Sequence, residues 1–139
     1  MIVLDTNIIS EAFALHPNYS GFTWMDQQDP GALFLTAITI SELVYGTELL
    51  ADGRRKQALA LRISAIVTEY EGRRLPFEEE AAYIYGYISA KRKKSGHAME
   101  TKDAQIAAIC LAHKATLATR NVKDFEGLDL ALINPFEER

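Results

Sequence analysis

Ile2-Val3-Leu4-Asp5-Thr6-Asn7 is the stretch that decides how the rest of the chain is read. Three apolar residues, two of them β-branched, form the short run that a buried strand leaves in a sequence. A carboxylate then follows with no spacer. A charge directly after a buried strand is poorly solvated, and such a position is costly without a partner. The same grammar recurs down the chain. Leu33-Phe34-Leu35 is a second short apolar strand, and Thr39-Ile40-Ser41-Glu42 after it has the capping-box pattern that opens a helix and places Glu42 in its first turn. Thr116-Leu117-Ala118-Thr119 and Leu130-Ala131-Leu132-Ile133 read as two further strands, with Arg73 to Phe77 as a short strand or extended link.

Helices fill the intervals. The patterns predict them over Thr6 to Ala14, Tyr19 to Gln28, from Thr39 to about Leu50, Lys56 to about Tyr70, Glu78 to about Lys94, and Thr101 to His113. His16-Pro17-Asn18, Asp29-Pro30-Gly31, Asp52-Gly53, Gly72 and Ser95-Gly96 punctuate them. Short apolar strands alternating with helices imply a parallel sheet covered on both faces. In such folds ligands bind beyond the carboxyl ends of the strands, so function is sought just after strands and at helix starts.

The bulk properties agree with this class. The chain has 139 residues, 48% hydrophobic and 24% charged, which fits one globular domain spanning residues 1–139. No apolar run approaches the ~20 residues of a membrane span. The start lacks the basic leader and apolar stretch of a signal peptide. The single cysteine, Cys110, suits a reducing cytoplasm and reads as a small core residue. The net charge of −4 argues against simple coating of phosphates, but its distribution is uneven. Residues 1–53 carry seven acids and no Lys or Arg, and residues 54–139 carry all fifteen basic residues against twelve acids. That asymmetry either juxtaposes an acidic metal site with a nucleic-acid track or is ordinary variation of surface charge.

Asp5, Glu42, Asp103 and Asp124 all fall at strand ends or helix starts on one predicted edge of the sheet. Each has a bland explanation: Glu42 as a capping partner, Asp103 as a first-turn acid facing the helix dipole, Asp124 as a turn former. Asp5 is hardest to explain that way. Several carboxylates in one cleft repel, so some take protons or a cation neutralises them. Mg²⁺ or Mn²⁺ is the matching cation, with its preference for oxygen ligands. An ion so held suits phosphodiester hydrolysis. His16, His97 and His113 have no zinc-site spacing, and no Gly-rich phosphate loop or nucleophile elbow is present.

Four segments, in order, also resemble the PIN-domain ribonucleases, in particular the VapC and FitB-like toxins of bacterial toxin–antitoxin pairs. They are Ile2-Val3-Leu4-Asp5-Thr6-Asn7, Ser41-Glu42-Leu43-Val44-Tyr45-Gly46, Thr101 to Ala108, and Leu117-Ala118-Thr119-Arg120-Asn121-Val122-Lys123-Asp124-Phe125. The ending Leu132-Ile133-Asn134-Pro135-Phe136 is similar to FitB-like chains too. The resemblance implies a three-layer α/β/α PIN fold with strand order 3-2-1-4-5. It implies that Asp5, Glu42 and Asp103 hold the metal and that Asp124 is the fourth, most variable acid. Asn121 stands where some relatives carry Asp, which leaves the fourth ligand open between the two. Thr6, Thr119 and Asn121 are expected to support the acids. The resemblance further implies an Mg²⁺- or Mn²⁺-dependent endoribonuclease, a toxin whose RNA targets include tRNA in the family. Its implied state is a homodimer with a small antitoxin partner that inserts a basic or aromatic residue into the cleft. The resemblance implies binding to promoter DNA only through that antitoxin.

Beside the acids, Lys91-Arg92-Lys93-Lys94, His97 and Lys102 form a basic stretch. Arg92, Lys93, Lys94, Lys102 and Arg120 are the candidate RNA contacts, against a reading of the stretch as a solvated helix end complementing its dipole. Arg54-Arg55-Lys56 and Arg73-Arg74 read as solvated surface. Tyr83, Tyr85 and Tyr87 alternate within one helix and so cannot share a face; packing in the core or a dimer is the expectation. Phe22, Trp24 and Met25 are expected in the core, or else in a groove for the antitoxin. Competing functions are a non-catalytic binding module of the same fold, a phosphotransfer domain using Asp5, and a DNA nuclease with the same metals. Asn7 stands where a haloacid-dehalogenase-like enzyme needs Asp, and no acid pair follows Leu4 as a receiver requires.

Overall fold

The computed structural model describes residues 1–13 and 17–137. Strands β1 (Ile2–Leu4), β2 (Leu33–Thr36), β3 (Arg74–Leu75), β4 (Thr116–Ala118) and β5 (Leu132–Ile133) form one sheet of order β3-β2-β1-β4-β5. Every pairing is parallel, with Ile2 opposite both Leu33 and Thr116, and Leu4 opposite Ala118. Helices α1 (Thr6–Ser10), α2 (Tyr19–Asp26), α3 (Ala37–Glu48), α4 (Arg54–Glu69), α5 (Glu79–Lys94) and α6 (Thr101–Ala112) cover it. This is the three-layer arrangement and strand order expected from the sequence.

The alternation of strand side chains sorts the core into two layers. Val3 and Leu117 point into a cluster with Ile106, Ala107, Ile109 and Phe125. Leu4 and Ala118, one residue on, point into the opposite cluster with Ile8, Trp24, Leu35 and Ile63. Helix α6 carries Ala104, Ala107, Ala108 and Cys110 within its buried residues. Small side chains there let the helix lie close to the sheet, and Cys110 is fully buried, as read from the sequence. Burial pushes its thiol far above the usual range, so it is inert as a nucleophile.

Three local departures from the sequence reading bear on the site. The first helix is regular only to Ser10 and tightens into a 3₁₀ turn at Glu11–Phe13; the rest of its predicted span, with His16, lies outside the described residues. Helix α3 begins three residues earlier than the Thr39 capping box implies. Thr36 is its N-cap, and Thr36 Oγ1 accepts from the Thr39 N–H at 3.1 Å. Glu42 therefore sits in the second turn, released from any capping role. Arg73, read as solvated surface, instead donates to the carbonyls of Pro30 (2.6 Å), Leu33 (2.7 Å) and Glu69 (2.9 Å) and lies over the Tyr70 ring at 4.5 Å. Its fixed fork of donors suits three converging carbonyls, and it ties β3 to the start of β2.

Trp24 is buried, while Phe22 and Met25 are half-buried. On α5, Tyr83 and Tyr87 are exposed together and Tyr85 turns inward to meet Phe77 edge-on at 5.9 Å. Among the described residues no helix is long and apolar enough to cross a membrane.

Candidate metal centre

The site is built outward from the end of β1. The Asp5 N–H continues the sheet ladder by donating to the Ala118 carbonyl at 2.9 Å. That bond fixes the Asp5 backbone beside β4, and only 4% of the residue is exposed. Its carboxylate is held from three sides. Oδ1 accepts from the Thr6 N–H at 2.8 Å, and Oδ2 accepts from the Thr119 hydroxyl at 2.8 Å and from Asn7 Nδ2 at 3.2 Å. Burial raises the Asp5 pKa above the ordinary 3.8; the Thr119 and Thr6 bonds oppose the shift, and the nearby Glu42 charge adds to it.

Thr119 is the hub of this half. Its hydroxyl gives its one proton to Asp5 and accepts from the Asn121 N–H at 3.1 Å and Asn7 Nδ2 at 3.3 Å. Asn7 Oδ1 in turn accepts from the Arg120 N–H at 3.1 Å. The segment after β4 is thereby tied to the segment after β1, and Asn121 joins the network through its backbone N–H.

Glu42 approaches from α3. Its Oε1 accepts from the Thr6 hydroxyl at 2.9 Å. Thr6 Oγ1 also lies 3.0 Å from Thr39 Oγ1. A hydroxyl has one proton, so Thr6 donates to Glu42 and accepts from Thr39. The chain Thr39, Thr6, Glu42 orients the carboxylate toward the end of β1.

The other side of the cleft is organised differently. Asp103 lies in the first turn of α6, as expected, and is half-buried. Asp124 lies on a 3₁₀ turn, Val122–Phe125, whose Phe125 is 1% exposed and anchors the turn in the core. Asp103 and Asp124 line a cavity of about 170 Å³ with Arg92, Ala98, Met99 and Glu100. Burial and the charges of Asp5, Glu100, Asp124 and Glu42 push the Asp103 pKa up to about 6. The four predicted acids are therefore within electrostatic reach of one point. Glu100 is a fifth that sequence reasoning missed. The available signal is an acid at the residue preceding Thr101, one turn before Asp103.

Among the described residues, no three carboxylate, imidazole or thiol groups are drawn together at the spacing of a formed metal site. The acids ring the cleft at longer range. The donor set is all carboxylate oxygen, hard and negatively charged, and burial together with the surrounding carboxylates raises the proton affinity of Asp103. Those properties fit Mg²⁺ or Mn²⁺.

The five candidate RNA contacts separate. Arg92 lines the acidic cavity, but its guanidinium donates to the carbonyls of His97 (2.8 Å), Asp124 (3.4 Å) and Glu126 (3.3 Å). It therefore fastens the end of α5 to the turn that carries Asp124. Lys102 lies over the Tyr45 ring at 5.2 Å, and Arg120 pairs with Glu11 at 3.1 Å and stacks on Phe136 at 4.0 Å. Lys93 and Lys94 are exposed and line no cavity near the acids.

The chain is similar to known proteins over nearly its whole length. The PIN domain family model matches residues 2–129. The chain is 38% identical over 139 residues to Toxin FitB of Neisseria gonorrhoeae, covering 99% of this chain and 100% of that one. It is also 38% identical over 138 residues to VapC ribonuclease Y4jK of Sinorhizobium fredii, covering 99% of each. Among solved structures, FitAB bound to an IR36 DNA fragment aligns with a TM-score of 0.94 at 37% identity, over 100% of this chain and 98% of that chain. The parallel sheet, the buried acid at the end of its first strand and the match over nearly the whole length have one meaning: the chain belongs to the PIN domain family.

Proposed function

We propose that this chain is a divalent-metal-dependent endoribonuclease, acting as one PIN domain over residues 1–139 and serving as the toxin of a toxin–antitoxin pair. The observation that carries the reading is Asp5. It is a nearly inaccessible carboxylate held by Thr6, Asn7 and Thr119 at a strand end, within electrostatic reach of Glu42 and Asp103. A structural role does not call for so many acids around one cleft, whereas cation binding does. Asp5, Glu42 and Asp103 would hold Mg²⁺ or Mn²⁺, with Asp124 and Glu100 on the outer side. When bound, the ion supplies neutralisation of phosphate charge and acidification of water. The protein's own part is positional. Thr6 and Thr119 fix the directions of the Glu42 and Asp5 lone pairs, and Arg92 fixes the turn bearing Asp124. Among the described residues no histidine lines the acidic cavity, so water activation in this reading needs no imidazole base.

The names of its relatives support the rest. Toxin FitB and VapC ribonuclease Y4jK align end to end, and a relative of the same fold is solved as FitAB on DNA. In this reading the chain has a small antitoxin partner, reaches promoter DNA only through it, and works in the cytoplasm on cellular RNA, tRNA included. The exposed pair Tyr83 and Tyr87 on one face of α5 supports a homodimer. The test is cleavage of a mixed cellular RNA pool by antitoxin-free protein and by Asp5→Asn, with Mn²⁺, Mg²⁺ or EDTA. Cleavage that requires metal and disappears in Asp5→Asn is expected. A folded wild type that cuts no RNA under any metal would move the assignment to a non-catalytic binding module.

A further inference from the structure

We propose that a second cavity, between the end of α5 and the turn that follows β4, seats a backbone phosphate of the RNA beside the scissile one. The inference rests on the endoribonuclease reading and adds where the strand runs. The cavity measures about 380 Å³ and is walled by Lys91, Arg92, Ser95, His97, Lys123 and Glu126, among others. It shares Arg92 with the acidic cavity that holds Asp103 and Asp124. A basic cavity and an acidic one thus stand on either side of a single guanidinium. That guanidinium is engaged by three carbonyls, so it acts as a rigid partition and leaves the phosphate to others.

Lys91 and Lys123 are the cations that remain. Both are exposed, and neither forms an ion pair among the described residues. They come from different elements, Lys91 from the last turn of α5 and Lys123 from the 3₁₀ turn. Complementing the dipole at the end of α5 explains basic residues at positions 91–94. It does not explain why Lys123, from elsewhere in the chain, faces the same space. Among the described residues Glu126 is the one acid on this wall, so the lysines and Arg92 leave the cavity net positive in a chain whose overall charge is −4. A polyanion drawn along the surface meets attraction here and, at the neighbouring acids, a demand for a cation. A strand with one phosphate on Lys91 and Lys123 presents its next phosphate to the acidic cleft.

The test is binding of a fluorescent single-stranded RNA in EDTA over a series of salt concentrations, read by anisotropy. The proteins are wild type, Lys91→Ala/Lys123→Ala and the control Lys93→Ala/Lys94→Ala. All four lysines are exposed, so folding is preserved. The first pair is expected to weaken binding severalfold and to lower the slope of log K against log salt by about 0.7 for each phosphate no longer neutralised. The control pair is expected to match wild type. With metal present, KM rises in the first pair while kcat stays within about twofold, the pattern expected when uniform binding is removed. Wild-type affinity and slope in Lys91→Ala/Lys123→Ala, or equal losses in both pairs, overturn the seat, and cleavage by wild type would leave the nuclease reading standing. Selective loss of binding with no cleavage by wild type under any metal keeps the seat and removes the nuclease reading.

Discussion

The two sides of the acidic cleft are built on opposite plans. On one side, Asp5 and Glu42 are held by hydroxyl, amide and backbone donors from Thr6, Asn7 and Thr119, each within 3.2 Å. On the other, Asp103 and Asp124 have no such side-chain partners among the described residues; Asp103 is half-buried, Asp124 is exposed, and what marks Asp103 is its burial together with the charges of Asp5, Glu100, Asp124 and Glu42. The first side is preorganised by the fold. The second has positions supplied by α6 and by the Arg92-fastened turn, with carboxylates free to adjust. A cation held by such a cleft would find one wall rigid and one compliant, an arrangement that suits an ion whose remaining ligands are water and substrate.

The contrast predicts a graded response to mutation. The largest effect is expected from Asp5→Asn, which keeps the shape but removes the charge and offers Thr119 an amide in place of a carboxylate. Changes to the residues that support metal ligands typically cost about 10–100-fold, so loss of Asp5 itself should lower RNA cleavage by about 100-fold or more. Thr119→Val comes next. It keeps the volume of a fully buried side chain and deletes the hub hydroxyl, so Mn²⁺ affinity measured by calorimetry should fall about 10–100-fold. On the compliant wall, Asp124→Asn should cost about tenfold or less in cleavage at saturating metal. Equal losses for Asp124→Asn and Asp5→Asn would erase the distinction between the two walls.

The smallest effect concerns pH. The folded protein binds a proton at Asp103 more tightly than the unfolded chain does, with a pKa of about 6 against an ordinary 3.8. Proton linkage then favours the fold at low pH, and this contribution is lost as pH rises from about 4 to about 6. The raised pKa of Asp5 acts in the same direction. In EDTA, wild type should therefore lose more thermal stability between pH 5 and pH 7 than Asp103→Asn does. Added Mn²⁺ should counter that loss. An identical pH dependence in the two proteins would mean that Asp103 feels neither its burial nor the neighbouring charges.

The preorganised wall is also the legible one. Asp5 directly after a three-residue apolar run, and Thr119 at the end of another, are visible because strand ends announce themselves by a change of polarity. Parallel pairing then forces those ends to one edge. The compliant wall is harder to read. Glu100 follows a loop signal and precedes a helix, where an acid is ordinary, and only its placement one turn before Asp103 brings it to the cavity. The start of α3 is ambiguous in the sequence because Thr36 and Thr39 are both good caps. The choice between them is made by pairing of Thr36 with Leu75, a long-range interaction that no local pattern carries. Arg73 reads as surface charge in the sequence, and Arg92 as a candidate RNA contact. Their carbonyl partners are up to 43 residues away for Arg73 and up to 34 for Arg92, so their fastening roles emerge only with the fold. Arg120 is similar: Glu11 and Phe136, from opposite ends of the chain, turn it from a phosphate candidate into a clasp.

The central claim is that a wall fixed by Asp5 and a wall carrying Asp103 and Asp124 together form one divalent-cation site. Titration of Mn²⁺ into metal-free protein, followed by electron paramagnetic resonance, tests it without reference to any RNA. Wild type should bind Mn²⁺ in a saturable manner, Asp5→Asn should lose that binding, and Asp124→Asn should keep it with reduced affinity. Binding by Asp5→Asn as tight as wild type, with the protein folded, would contradict the claim.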